Sequence, residues 1–305
     1  MKTKEQPLRG LIPLICVITA SLLYIFVGGF IISVEPSMLA VYALFFVWTA
    51  FMVSLCDRWP FYKVRQPYVG FILLAITLVS GILHPIIMSI FKWNSEYYWP
   101  VIANLFLGIG ITMAFDNKLV EHFKQPKSIV FNVIFWYVLT IVLILFVGMV
   151  PAIWFAWFIY IFFWLEKWPV QDVSQPRKGI LIFLMLGLFS LLLNGVFGLF
   201  GTNFFNPDAG LWFVLFVWWL VLTSWQFETW PFKNTPQPRK GLFGLVIAVL
   251  LTFLSYYILV FIFRMDIPTA GAYTWVFVSW LYSWDIVLGK WPAENPMSLD
   301  DIANL

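Results

Sequence analysis

The residue order of this chain is periodic. A 14-residue signature, [Asp/Glu]-x-Trp-Pro-x5-Gln-Pro-x-x-Gly, recurs with constant internal spacing. It reads Asp57, Trp59, Pro60, Gln66, Pro67 and Gly70, then Glu166, Trp168, Pro169, Gln175, Pro176 and Gly179, then Glu228, Trp230, Pro231, Gln237, Pro238 and Gly241. A degraded copy keeps Asp116, Gln125 and Pro126 but has Lys118 in place of the Trp. The chain opens on the second half of the signature (Gln6, Pro7, Gly10) and closes on the first half (Trp291, Pro292). Tandem copies of one supersecondary unit produce such spacing. Five repeats follow, at approximately 6–60, 66–118, 125–169, 175–231 and 237–292, with a short acidic tail over 293–305.

What one repeat folds into follows from its composition. Hydrophobic residues make up 62% of the chain and charged residues 11%, less than half the usual ~25% charged share of a globular domain. The uncharged runs, such as Leu11–Val34, Pro36–Cys56 and Gly241–Phe263, match the ~20 apolar residues that cross a bilayer as a helix. They lack the alternation of barrel strands, so only helices satisfy their backbone in lipid. The run Ser128–Leu165 is long enough for two spans divided by Pro151, which brings the predicted total to ten, two per repeat. The predicted fold is an all-α integral membrane protein: 1–305 is one transmembrane domain of ten helices, arranged as five tandem parallel hairpins. They either close around a pseudo-fivefold axis, the arrangement favoured here because every junction shares the motif, or line up as an open palisade.

Of 18 Lys and Arg, only Lys92 and Arg264 fall outside the termini and the motif-bearing junctions. By the positive-inside bias this places both termini and every Trp-Pro…Gln-Pro junction in the cytoplasm, in a plasma (inner) membrane. The net charge of +3 is a topology signal of that kind and no nucleic-acid footprint. The first apolar run is too long for a cleavable signal. Cys16 and Cys56 suggest neither a disulfide framework nor a metal site.

Inside the membrane the register is regular. Nine residues before each acidic position stand Trp48, Trp157, Trp219 and Trp280, with Leu107 in the second repeat. At about 1.5 Å per residue these indoles lie roughly 13 Å deep. Fifteen residues after each Gln comes a small residue at similar depth: Ser21, Gly81, Thr140, Ser190 and Thr252. A ring against a small side chain is a close-packing device; the alternative is a midplane aromatic ring that constricts a path or stacks on an apolar ligand. The junction acids Asp57, Asp116, Glu166 and Glu228 sit at helix C-termini, where a carboxylate opposes the helix dipole. They are expected to be stapled by the bases beside the Gln-Pro step at a neighbouring helix start: Arg9, Lys127, Arg177, Lys178, Arg239 and Lys240. The other reading is a carboxylate ring at a cytoplasmic mouth.

Candidate functional groups are the polar ones that break the pattern. The second repeat carries His84 and the intramembrane Asn104, and Pro85 after His84 frees a carbonyl one turn earlier, near Gly81. The fifth repeat has Gly289 at the acidic position and Asp285 four residues earlier, one turn deeper. Ionisable groups in a span demand a partner. Two histidines cannot ligate a di-haem or di-iron centre, and no Cys-x-x-Cys, His-Glu-x-x-His, Gly-x-Ser-x-Gly or phosphate loop is present. No cofactor and no metal are expected, and catalysis is not, apart from an intramembrane enzyme acting on lipid. Two readings remain. One is a permease or channel for a small neutral or apolar solute. The other is a non-catalytic membrane anchor or scaffold subunit beside lipid or quinone, whose 18 Trp and 33 Phe face lipid and partner membrane subunits.

Overall fold

The computed structural model describes residues 6–55, 67–90, 160–199 and 207–289, together with isolated positions between those stretches. Among the described residues every regular element is helical, as the sequence predicts. We label the α-helices α1 (Leu8–Ile25), α2 (Pro36–Leu55), α3 (Tyr68–Ile90), α4 (Arg177–Leu199), α5 (Pro207–Val221), α6 (Arg239–Tyr257) and α7 (Ile267–Leu288). Among the described residues, two continuous helices, Leu8–Ile31 and Arg239–Ile262, are long and apolar enough to cross a membrane. Each has 24 residues, about 36 Å of rise, against roughly 30 Å of hydrocarbon.

Opening helices, which follow a Gln-Pro step, and closing helices, which lead to the motif's acidic position, have different surfaces. Along α1, Leu11, Ile15, Ile18 and Leu22 are exposed while Gly10, Pro13, Val17 and Ser21 are buried. Along α6, Leu242, Val246, Leu250 and Phe253 face out, and Gly241, Gly244, Ala248 and Thr252 face in. This inverts the soluble pattern, in which the apolar stripe is the buried one. Here the inward stripe is made of small residues, which let helices approach. Closing helices are buried almost throughout, as in Leu211–Leu215 of α5 and Val276–Trp284 of α7, where only Trp212 and Phe277 are half-buried.

Four helix ends follow one rule. Helical turns of π type cover Phe26–Ile31, Tyr160–Trp164, Leu222–Gln226 and Ile258–Ile262. After each, one amide reaches five residues back and the next-but-one reaches six: Leu165 to Tyr160 (2.9 Å) and Lys167 to Ile161 (2.8 Å), then Phe227 to Leu222 (3.2 Å) and Thr229 to Thr223 (2.9 Å). The far ends repeat it, with Ile32 to Val27, Val34 to Gly28, Phe263 to Ile258 and Met265 to Leu259. The widened turn occupies carbonyls that a helix end otherwise leaves orphaned. It needs left-handed backbone: Glu166 (φ 51°), Lys167 (62°), Glu228 (49°), Thr229 (60°), Ser33 (61°) and Arg264 (52°). The motif acid is therefore the residue that turns the chain off the helix axis. Gly289, which replaces it in the fifth repeat, has φ 59°, the conformation glycine adopts without strain.

That equivalence gives a clean test. A Cβ on Gly289 meets nothing within 4 Å, so Gly289→Ala isolates backbone strain. It is expected to lower stability by about 1 kcal/mol, read from unfolding in mixed detergent micelles; no change would mean the turn is not held left-handed.

The chain gathers into two compact units, one of residues 1–93 and 272–305, the other of residues 94–271. In the first, α3 packs on α2: a Cβ on Gly81 would lie 2.8 Å from the Tyr42 carbonyl, and Thr49 and Ser80 hydroxyls meet at 2.7 Å. The motif end of α3 packs instead with the last helix, Val69 and Leu73 joining Ala50 and Val287 in one cluster. In the second unit α6 does the same. Its far end packs on α5 through Trp212 with Phe253 and Tyr256 (ring centroids 4.2 and 4.9 Å apart), and its motif end meets Tyr160–Leu165. One docking rule thus covers both units: α3 lies on α2 and ends on α7, and α6 lies on α5 and ends on Tyr160–Leu165.

Candidate functional site

Two places concentrate polar chemistry. The first is the junction in the second unit. Gln237 accepts from the Gly241 amide through Oε1 (3.4 Å) and donates through Nε2 to the Trp164 carbonyl (2.7 Å). Gln175 does the same, accepting from Gly179 (3.2 Å) and donating to Ala114 (2.8 Å); Gln6 accepts from Gly10 at 3.1 Å. One amide side chain satisfies an orphan N–H at its own helix start and a carbonyl at another helix's end. Four residues on, the motif glycine leaves room for the side chain before the acid: a Cβ on Gly179 would strike Phe115 at 2.5 Å, and one on Gly241 would strike Leu165 at 2.3 Å. The Gln6-Pro7, Trp168-Pro169, Gln175-Pro176, Trp230-Pro231 and Gln237-Pro238 bonds are cis.

The expected staple is present in this junction. Lys240 Nζ lies 2.5 Å from Glu166 Oε1, with the lysine side chain 4% exposed and the glutamate 55%. Glu228 pairs with Lys233 at 2.9 Å on the surface. The burial asymmetry makes the two partners unequal. Glu166→Gln leaves a buried ammonium without its counter-charge and is expected to cost about 1–2 kcal/mol, below the full buried-pair value because the glutamate is half in solvent. Lys240→Met leaves only a solvated carboxylate and should cost under ~1 kcal/mol. Unfolding of the two variants side by side checks the order; Lys240→Met being the worse would refute it.

The second place is inside α7. Ser279 and Ser283 are 0% exposed and Trp280 is 6% exposed. Their Oγ, Oγ and Nε1 atoms are buried without a hydrogen-bond partner. Trp280 packs its ring on Tyr24 (centroids 6.1 Å) and Phe46 (5.0 Å). Thr274 is buried on the same helix, and Asp285 accepts from the Gly289 amide through its carbonyl at 3.0 Å. Beyond the far end of α6 lies the exposed Asp266, whose carboxyl is held below the usual carboxylate range by the Thr269 amide and hydroxyl; its Oδ1 accepts from that amide at 3.0 Å and caps α7.

Of the midplane tryptophans, Trp219 donates to Ser255 at 2.9 Å. Trp157 packs on Phe189, next to Ser190, and on Phe216; Trp280 packs as above. The small residues Ser21, Ser190 and Thr252 are buried. Trp48 and His84 lie in α2 and α3 with side chains outside the described residues, and Asn104, Asp57 and Asp116 lie outside them altogether. Among the described residues no three His, Cys, Asp or Glu converge as metal ligands.

Ser279 and Ser283 are not among the residues that reading the sequence picked out. Aligning the repeats carries the signal: Ser279 stands where the others have Val47, Phe106, Ala156 and Trp218, and Ser283 where they have Phe51, Gly110, Tyr160 and Leu222. The chain matches no protein-family model, no curated protein and no solved structure.

Proposed function

We propose that this chain is a ten-span membrane protein that passes a small neutral solute across an inner (plasma) membrane, its five parallel hairpins set about a pseudo-fivefold axis with both termini cytoplasmic. The observation that carries this reading is the inverted polarity of its helices. Opening helices turn Leu, Ile and Phe outward, while the buried closing helices hold Thr274, Ser279 and Ser283 on α7 and Ser224 and Gln226 beyond α5. A protein that only filled lipid would gain nothing from desolvating such groups. The docking rule supports the ring. Counting two repeats back from the second wraps to the fifth, and that is where Val69 and Leu73 meet Val287.

The test is stopped-flow light scattering on proteoliposomes exposed to gradients of urea, acetamide and glycerol. Faster equilibration than in protein-free vesicles, for at least one solute, is the expected result. Rates equal to those of empty vesicles across the panel would overturn the reading.

A second reading, a non-catalytic subunit anchoring a larger membrane complex, is favoured by one feature of residues 94–271. There Trp157 interlocks with Tyr160, Phe189 and Phe216, and Phe163 with Trp225, an aromatic packing suited to a rigid scaffold. Purification in mild detergent followed by native mass spectrometry separates the two: partner subunits travelling with the chain in fixed ratio support the anchor.

A further inference from the structure

Intramembrane hydroxyls in this chain follow a habit. Ser21 donates to Val17 O (2.8 Å), Thr49 to Phe45 O (3.0 Å), Ser190 to Leu186 O (2.8 Å), Ser224 to Leu220 O (2.5 Å) and Thr252 to Ala248 O (2.7 Å). Each satisfies itself on the carbonyl four residues back, the ordinary solution for Ser and Thr in apolar helices. Ser279 and Ser283 depart from it, although both are fully buried on a helix whose carbonyls stand at the same spacing.

Their positions are related. Residues four apart lie on one helix face about one turn from each other. Trp280 is about 60° around the helix from Ser283 at 100° per residue, and its N–H is also unpartnered. Two groups that donate or accept and one that only donates therefore open on one arc of α7, backed by the Tyr24 and Phe46 rings. Buried polar atoms without protein partners mark where another molecule makes the bonds.

We infer that Ser279, Trp280 and Ser283 form a binding site for a small uncharged solute carrying both an acceptor and a donor, of the urea, amide and short-alcohol class. The inference rests on the solute-passage reading above and names its selecting site. Charge selects against ions. None of the three residues is ionisable, and Asp285, two residues beyond Ser283, points about 200° around the helix from it. The indole N–H takes the solute's carbonyl or hydroxyl oxygen, and the two hydroxyls take its N–H or O–H groups.

Two measurements test the site separately from transport. In a background with Cys16 and Cys56 replaced by Ala, Ser283→Cys is expected to react with methyl methanethiosulfonate and to be protected by urea, whereas Ser190→Cys at a self-satisfied position is not modified. An unreactive Ser283→Cys, or one that urea does not protect, would overturn the site whatever the flux assay shows. In proteoliposomes, Ser279→Ala/Ser283→Ala is expected to lower protein-dependent urea entry about tenfold, the scale of two lost hydrogen bonds. The melting temperature should hold or rise, because the removed groups are unsatisfied. Urea entry at the wild-type rate in that variant would also overturn the site. Should the double variant fail to fold, Trp280→Phe carries the same flux test, with loss expected for urea and acetamide. Wild-type flux equal to that of empty vesicles, together with a protected Ser283→Cys, keeps the site and rejects passage.

Discussion

Gly244→Val is expected to be the most damaging single change described, lowering stability by about 3 kcal/mol or preventing assembly of residues 94–271. A Cβ at this position would lie 2.1 Å from Trp164 Cδ2 and 2.2 Å from its Cε3. Those atoms are a ring-fusion carbon and its six-ring neighbour in an indole that is only 1% exposed. Neither side can yield: the glycine is on α6, and the ring is seated in the π-helical turn that ends at Trp164. Overpacking of this kind costs roughly 1–3 kcal/mol for a methylene, and valine brings three carbons. The diagnostic is coupling. Trp164→Leu alone should destabilise by a few kcal/mol, but combined with Gly244→Val it should recover at least about 1 kcal/mol relative to the sum. Strict additivity in detergent unfolding would mean that the two helices do not meet there.

Gln237→Leu is expected to cost about 2–4 kcal/mol by removing both of its hydrogen bonds at once. The Gly241 amide and the Trp164 carbonyl each lose their side-chain partner, at roughly 1–3 kcal/mol per stranded buried group, discounted for partial exposure. Gln237→Glu separates the two roles. The carboxylate still accepts from Gly241 but offers no donor to Trp164 O, so the loss should fall between wild type and leucine. The same order is expected at Gln175, against Gly179 and Ala114. A glutamate variant as stable as wild type would show that the carbonyl bond contributes nothing.

The sequence makes the helical class legible, because long apolar runs without strand alternation leave the backbone no other regular form. The staple is readable in kind only: an acid that recurs at a helix end needs a base, and Lys240 is among the bases beside the Gln-Pro steps, but its pairing with Glu166, and that of Glu228 with Lys233, follow from the fold. The acid's backbone role was not. A left-handed Glu166 or Glu228 violates the usual preference for glycine, and the π turn that demands it arises from carbonyl pairing that no residue pattern advertises. Gly289 shares the left-handed backbone at the equivalent position (φ 59°) but follows an ordinary α-helical turn. Gln237 was visible as a marker, but its long-range partner Trp164 is 73 residues away, beyond any local rule. The polar arc on α7 was missed for a different reason. Serine in a membrane helix usually satisfies itself, so its identity says nothing until its hydroxyl is seen to point elsewhere.

The docking of α3 on both α2, which precedes it, and α7, which ends the described chain, bears on how the protein is made. A nascent polypeptide that has emerged only through Gly271 contains all of α3, yet the surface that Val69 and Leu73 share with Val287 has not been synthesised. On the ten-span reading, the membrane-insertion machinery shelters that flank while more than half of the protein is still being threaded. Early release of the ribosome would thus be felt near the beginning of the molecule, on a helix the shortened product carries in full.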